Sequence, residues 1–415
     1  MRGEGHPVRR IWVLMATVFV DMMGFFIVLP LLPFYAEKLG ADPLRVGSLV
    51  STFALAQLVT APLWGRLSDR FGRRPMILCG LLVSAGAYVI FEMASVVWLL
   101  FLSRFVQGMG SGTTGVVQAY VSDLIAKEDR AKAIGWLTAG TSAGVMLGPV
   151  VGSVGASLGW LGPGYIAAGL CLLNFGFGWI WLREPTSRDH MERRRESQQR
   201  GDTRRAMLEV LRHPRDPVSS MIWVYSLGMM AFMAMNGIFA LYLERVFGIN
   251  EKTIGWFFFY VGGISLVMRS LAIGPVVSKL GERRTMRLGA ILIALGMATI
   301  PFARTIPELG LAVLLIPVGT ALLFPTTTSI VSSRAREDQV GMIMGVQQAF
   351  GGVARLLGPI WAGAVFQYVG IRWPFWLAAF VMALGRLFVG RDDPEKQANE
   401  PTERPAAGTD EAVRG

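Results

Sequence analysis

The sequence predicts an all-α integral membrane protein, with twelve transmembrane helices arranged as two six-helix bundles. Three observations carry that expectation. Hydrophobic residues make up 53% of the 415 residues and charged residues 17%, so lipid is the solvent for most of the chain. Apolar runs of about 20 residues recur throughout, each long enough to cross ~30 Å of hydrocarbon. Two unrelated motifs repeat at one offset: the glycine-bounded basic stretch Gly65 to Arg74 returns at Gly274 to Arg284, and Leu147-Gly148-Pro149 with Gly152 returns as Leu357-Gly358-Pro359 with Gly363. A common offset indicates duplicated halves.

In chain order the spans fall at 11–33, 45–64, 75–94, 97–121, 133–158 and 163–183, then at 218–241, 253–278, 286–303, 308–331, 340–367 and 372–390. The first is not a cleaved signal, because it is too long for such a segment and carries Asp21. These spans divide the chain into an N-terminal bundle (1–183), a linker (184–217), a C-terminal bundle (218–391) and a polar tail (392–415) expected to be disordered. Within the linker, Thr203 to His213 has the pattern of a short amphipathic helix lying along the interface.

Orientation follows from the 40 Lys and Arg residues. Placing the N-terminus in the cytoplasm puts thirty of them on that side and six outside (Lys38, Arg45, Arg245, Lys252, Arg304 and Arg372), with Arg104, Arg269, Arg355 and Arg386 inside spans. This asymmetry predicts that both termini are cytoplasmic, and arginine-rich usage with short loops suggests a bacterial inner membrane. The same placement explains the excess of eleven positive charges, including Arg193 to Arg195, as topological and lipid-facing, so no nucleic-acid partner is expected. Cys79 and Cys171 fall inside spans, which argues against a disulfide framework. No GxxxxGK[ST] loop is present, and Gly108 to Gly115 lies in an apolar run with no preceding strand, so nucleotide chemistry is not expected. No cluster of His, Asp or Glu suggests a metal, a cofactor or an enzyme active site.

Several residues stand out physically. Gly65 and Gly72 allow close helix approach and a positive-φ turn, and Asp69 can pair with a neighbouring arginine. Asp123, at the inner end of the fourth span, is an available partner for Arg70 or Arg73. Glycines at 140, 144, 148 and 152 line one helix face and permit tight packing, while Pro149 removes a backbone hydrogen bond and invites a bend. Asp21 lies about ten residues, ~15 Å, into its span, where a carboxylate must be protonated or paired. Arg104 lies ~10 Å from the outer end of its own span, at comparable depth. The pair is read either as a permanent bridge or as a site where Asp21 gains and loses a proton.

Taken together, these residues resemble the drug:proton antiporter branch of the major facilitator superfamily. Gly65, Leu67, Asp69, Arg70, Gly72, Arg73 and Arg74 match its loop motif; Arg104, Gln107, Gly108 and Gly110 its fourth-span motif; Gly140, Gly144, Gly148, Pro149 and Gly152 its antiporter motif. Asp21, Gly24, Pro30 and Pro33 resemble the first span of tetracycline-exporter-like members. The resemblance covers about residues 11 to 390. It implies alternating access, with Gly65, Asp69, Arg70, Gly72, Arg73 and Asp123 latching the bundles together on the cytoplasmic side in one state, and with Gly144, Gly148, Pro149, Gly152, Gly358 and Pro359 acting in packing or hinging. The alternative for the loop motif is a topology signal alone.

The chain departs from the family pattern in two places. Ser153 replaces the second glycine of the usual span-five ending, and the histidine and aspartate that tetracycline exporters place in spans eight and nine are missing. His6, His190 and His213 all lie outside spans, which leaves Asp21 as the principal proton carrier and Glu92 and Asp123 as weaker candidates. In the C-terminal half, Arg269 and Arg355 have no carboxylate within the spans. They either cap helix carbonyls or bind a negative group on the substrate, which would then be a zwitterionic or acidic amphiphile. Phe25, Gln57, Gln118, Asn236, Trp256, Phe259, Phe324 and Gln347 are expected to face the cavity beside Arg355. The function this reading predicts is export of small amphiphiles in exchange for protons by a monomer that needs no cofactor. The alternatives are export or flipping of a lipid-like or metabolic amphiphile, and proton-coupled uptake; a non-transporting scaffold is the remaining case.

Overall fold

A computed structural model describes residues 7–124, 130–159, 162–182, 184, 203–336 and 339–385. Arg386, most of the 184–217 linker and the 392–415 tail fall outside them. Among the described residues the apolar runs are helices, and ten of these are long and apolar enough to cross a membrane.

In the N-terminal half, α1 (Pro7–Val28) breaks at 29–31 and resumes as α2 (Leu32–Lys38), with a proline in its first turn where no amide partner is needed. The Asp42 carboxylate caps α3 (Pro43–Phe71) by accepting from the Arg45 amide at 2.8 Å. This helix runs straight through most of the basic loop motif. The expected turn shrinks to Gly72, whose φ of 101° favours glycine, while Gly65 is helical with open space around it and mediates no close approach. Next come α4 (Arg73–Glu92), α5 (Val97–Gly110), α6 (Thr113–Leu124), α7 (Arg130–Ser157) and α8 (Pro163–Trp181). The fourth span is thus two helices joined by a turn at 111–112, rather than one. The α7 helix continues through Pro149.

The linker contributes α9 (Thr203–Arg212), which buries Ala206 and Val210 while Leu208 and Leu211 stay exposed. The C-terminal half then has α10 (Pro217–Phe247), followed by α11 (Ile254–Val267), a π-helical turn (Met268–Ala272) and α12 (Ile273–Leu280) forming one span. It ends with α13 (Glu282–Thr299), α14 (Ile306–Arg334), α15 (Val340–Tyr368) and the shorter α16 (Trp373–Leu384).

Glycine packing explains how the N-terminal bundle closes. The bare face of α7 lies on α1, so that a Cβ at Gly144 would come within 2.5 Å of the Phe19 carbonyl oxygen, and one at Gly148 within 2.7 Å of that of Met23. Gly358 meets α10 in the same way, 2.7 Å from the Met230 carbonyl oxygen.

The two bundles meet along two seams, α3 against α15 and α7 against α11. The internal repeat exchanges these seams with each other, and their contacts correspond. Gly47 faces the carbonyl of Pro359, and Gly255 faces that of Pro149. Gly363 does not play the part of Gly152, as the repeat had suggested. Gly152 stands against Ile27 of its own bundle, whereas Gly363 stands against Pro43 of the other. One extra residue between the Gly-Pro pair and the later glycine turns it ~100° around the helix, from the bundle interior to the seam.

Candidate functional site

Two cavities open between the bundles. The larger, about 240 Å³, is lined on the N-terminal side by Asp21, Phe25, Phe53, Gln57, Tyr88 and Gln107, and on the C-terminal side by Phe232, Met233, Asn236 and Arg355. The smaller, about 180 Å³, shares Phe26, Phe232 and Asn236 with it and adds Arg269, carried by the π-helical turn. Single π-helical turns inside α-helices are frequent at functional sites. Hydroxyls of Thr141, Ser142, Ser265 and Thr320 supply its other polar groups.

Of the residues that the sequence proposed for the substrate site, Phe25, Gln57, Asn236 and Arg355 line the larger cavity. The rest lie elsewhere. Trp256 is 64% exposed and meets Phe259 edge-on at 6.2 Å on the outer face of α11. Phe324 packs among Tyr225 and Phe232. Gln347 is fully buried, donating to Thr328 at 3.1 Å within its own bundle. Gln118 is exposed on α6 and lines neither cavity. Membrane helices are apolar on all sides, so hydropathy could not tell these faces apart.

Asp21 and Arg104 do not form a direct bridge. Arg104 is 1% exposed, donates from Nη1 to Gln107 at 2.6 Å and lies over the Phe91 ring at 5.7 Å; its Nε and Nη2 have no hydrogen-bond partner. Gln107 in turn donates to the Tyr88 hydroxyl at 2.8 Å. That hydroxyl sits 2.9 Å from where a Cβ would be at Gly24, one turn beyond Asp21. Arg104 therefore connects to the Asp21 wall through Gln107 and Tyr88. Both were missed as a pair, because a tyrosine in an apolar run carries no positional signal.

The loop motif is tied to its own bundle. The Arg73 guanidinium bonds Asp69 at 2.7 Å, Asp123 at 3.2 Å and the Ser68 hydroxyl. The backbone amides of Arg73 and Arg74 donate to the Glu184 carboxylate at 2.7 and 3.0 Å, and Arg70 lies over Phe71. Glu184 thus caps the start of α4, a role the sequence did not reveal. In this structure these contacts form a clamp joining α3, α4 and α6.

Several polar contacts between the bundles lie at the end opposite the loop motif. Lys38 pairs with Glu251 at 2.7 Å and Arg245 with Glu37 at 2.8 Å, and the Leu44 amide donates to Gln367 at 3.2 Å. Ser153 donates to the Glu251 carbonyl at 2.8 Å and accepts from the Gly255 amide at 2.9 Å. The motif's missing glycine is thus a seam hydrogen bond. Lys38, by hydrogen bonding, holds the Glu251 carboxyl below its usual range. Among the described residues no cluster of His, Cys, Asp and Glu could hold a metal.

Two pseudo-symmetric six-helix bundles, sealed together at one end and enclosing a cavity with ionisable walls, form the architecture of a secondary transporter. The chain belongs to the major facilitator superfamily, whose family profile matches residues 14–335 and 223–414. It is 29% identical over 383 residues to Multidrug resistance protein 2 of Bacillus subtilis (strain 168), covering 90% of this chain and 92% of that one. It is 25% identical over 364 residues to the class B tetracycline resistance protein of Escherichia coli, covering 86% and 88%. In structure it is similar to the human organic anion transporter MFSD10, with a TM-score of 0.69 at 24% identity, covering 93% of this chain and 100% of that one.

Proposed function

We propose that the protein exports small amphiphilic, drug-like molecules in exchange for protons by alternating access. The observation that carries this reading is the placement of Asp21, the one carboxylate lining either cavity, on an aromatic-walled cavity between the bundles. A proton and a substrate cation compete for such a group, which is the physical basis of exchange. The multidrug and tetracycline resistance proteins among its relatives support export.

In this reading the end carrying the termini faces the cytoplasm of a bacterial inner membrane, as the thirty-to-six distribution of basic residues favours. The contacts of Lys38, Arg245 and Ser153 then close the outer side, and loosening them lets the cavity face outward. The 184–217 segment tethers the bundles, and the protein acts as a monomer surrounded by lipid, with no nucleic-acid partner and no chemical reaction.

The test is substrate-triggered proton movement in proteoliposomes. Wild type is expected to move protons opposite to substrate, and Asp21→Asn to reduce that movement to background. Equal proton-free substrate movement by both proteins would make the chain a facilitator and remove Asp21 from the mechanism.

A further inference from the structure

The charges around the larger cavity constrain which substrate can be exchanged for a proton. Arg355 lines this cavity from the C-terminal side, and its Nε is buried without a hydrogen-bond partner. An unmet guanidinium donor beside a cavity is stabilised by any acceptor that a ligand brings, and most by a charged one. Arg269 adds a second cation in the adjoining chamber, and Asp21 is the lone acid among the lining residues of both. The rings of Phe25, Phe53 and Phe232 line the same cavity.

Three kinds of amphiphile behave differently in that field. A simple cation pairs with Asp21 but is opposed by Arg355. A simple anion is drawn to Arg355, yet a proton on Asp21 removes a like charge and strengthens its binding, so anion and proton bind together. That is cotransport, the opposite of exchange. A zwitterion does both things required: its cationic end displaces the proton from Asp21, and its anionic end meets Arg355. Groups near Asp21 include Tyr88 of α4, Cys171 of α8 and, through Gln107, Arg104 of α5.

Resting on the proton-exchange reading, we infer that the substrate is a zwitterionic amphiphile, bound with its basic nitrogen toward Asp21, its anionic group at Arg355 and its apolar body among the phenylalanines. Arg355 is then a specificity-determining residue.

The experiment uses full-length protein in detergent and three probes on one scaffold: an aryl-alkyl amino acid, its methyl ester (cation) and its N-acetyl derivative (anion). Affinity and proton release or uptake on binding are measured together. Expected is about tenfold tighter binding of the amino acid than of either derivative, with proton release, consistent with one additional charged contact. Arg355→Gln should erase that advantage by weakening the amino acid, while the ester, no longer opposed by the guanidinium, binds at least as tightly as to wild type; Arg355→Lys should keep part of the advantage. Should the Gln variant fail to fold, the wild-type ranking and the Lys variant decide. If the ester binds as tightly as the amino acid and still releases a proton, the zwitterion inference is overturned and the exporter reading survives. If the N-acetyl compound binds best with proton uptake, or binding of any probe leaves protons unmoved, exchange itself is overturned. Failure of all three to bind at millimolar concentration also removes the inference.

Discussion

The loop after α3 and the loop after α12 are copies of one repeat, and their backbones agree: Gly72 has φ 101° and ψ 158°, Gly281 φ 75° and ψ 161°. Their side chains have parted. After Gly72 comes Arg73, nearly buried, bonded to Asp69 and Asp123 and with its amide on Glu184. After Gly281 comes Glu282, whose carboxylate accepts from Ser329. The same divergence runs through the cavity, where the N-terminal half supplies the acid and the C-terminal half the arginines. A duplicated scaffold keeps its symmetry where backbones touch, at the Gly47–Pro359 and Gly255–Pro149 crossings, and loses it where charges act.

The largest break in this comparison should come from removing the loop charges. Arg73→Ala removes the guanidinium that bridges part-buried Asp69 and the buried Asp123 side chain, a change that typically costs ~3–5 kcal/mol when an ion pair is buried. Glu282→Ala removes one hydrogen bond to a serine, about 1 kcal/mol. Thermal unfolding of the two variants in detergent should therefore differ clearly, with Arg73→Ala the less stable. Equal melting temperatures would mean that the N-terminal clamp contributes no more than its copy.

A middle-sized effect should separate glycines that look equivalent in sequence. Gly152→Val pushes α7 from α1 inside one bundle, an overpacking of ~1–3 kcal/mol that lowers the melting temperature. Gly363→Val presses on the Pro43 carbonyl across the seam, where the bundles can part. It should leave the melting temperature nearer to wild type while slowing transport, through a shifted balance between the two facing states. Gly65→Ala, with open space around it, is the neutral control.

Much of this was legible in the sequence. The apolar runs, the offset of the repeat and the four-residue glycine spacing depend only on local pattern, and a close helix contact on that glycine face follows from them; that its partner is α1 does not. Asp21 was legible because a charge in an apolar span is costly anywhere. Trp256 and Gln347 were misplaced because lipid and protein interior reward the same side chains, so helix rotation leaves no trace in hydropathy. The bonds of Ser153 and Glu184 were hidden for another reason: each acts on backbone groups of a distant segment, and such partners have no sequence signature.

The smallest effect concerns the seam that joins the two halves at the end away from the termini. Lys38 lowers the Glu251 carboxyl, so the bond's contribution is complete above the ordinary carboxylate value and disappears as the pH falls through the lowered one. The pair is partly exposed, with Lys38 62% accessible, so it is worth less than about 1 kcal/mol. Near neutral pH, Glu251→Gln should therefore raise the fraction of molecules opened at this end by no more than about fivefold, read as labelling of a cysteine placed at Phe25. Ser153→Ala, which removes two seam hydrogen bonds, should act in the same direction, and acidification below the carboxylate range, which also reaches the Arg245–Glu37 pair, should open wild type at least as far as Glu251→Gln does. If labelling of wild type stays constant across that range, the seam is held by its glycine and proline crossings alone, and the charges there only decorate a contact set by the duplicated backbone.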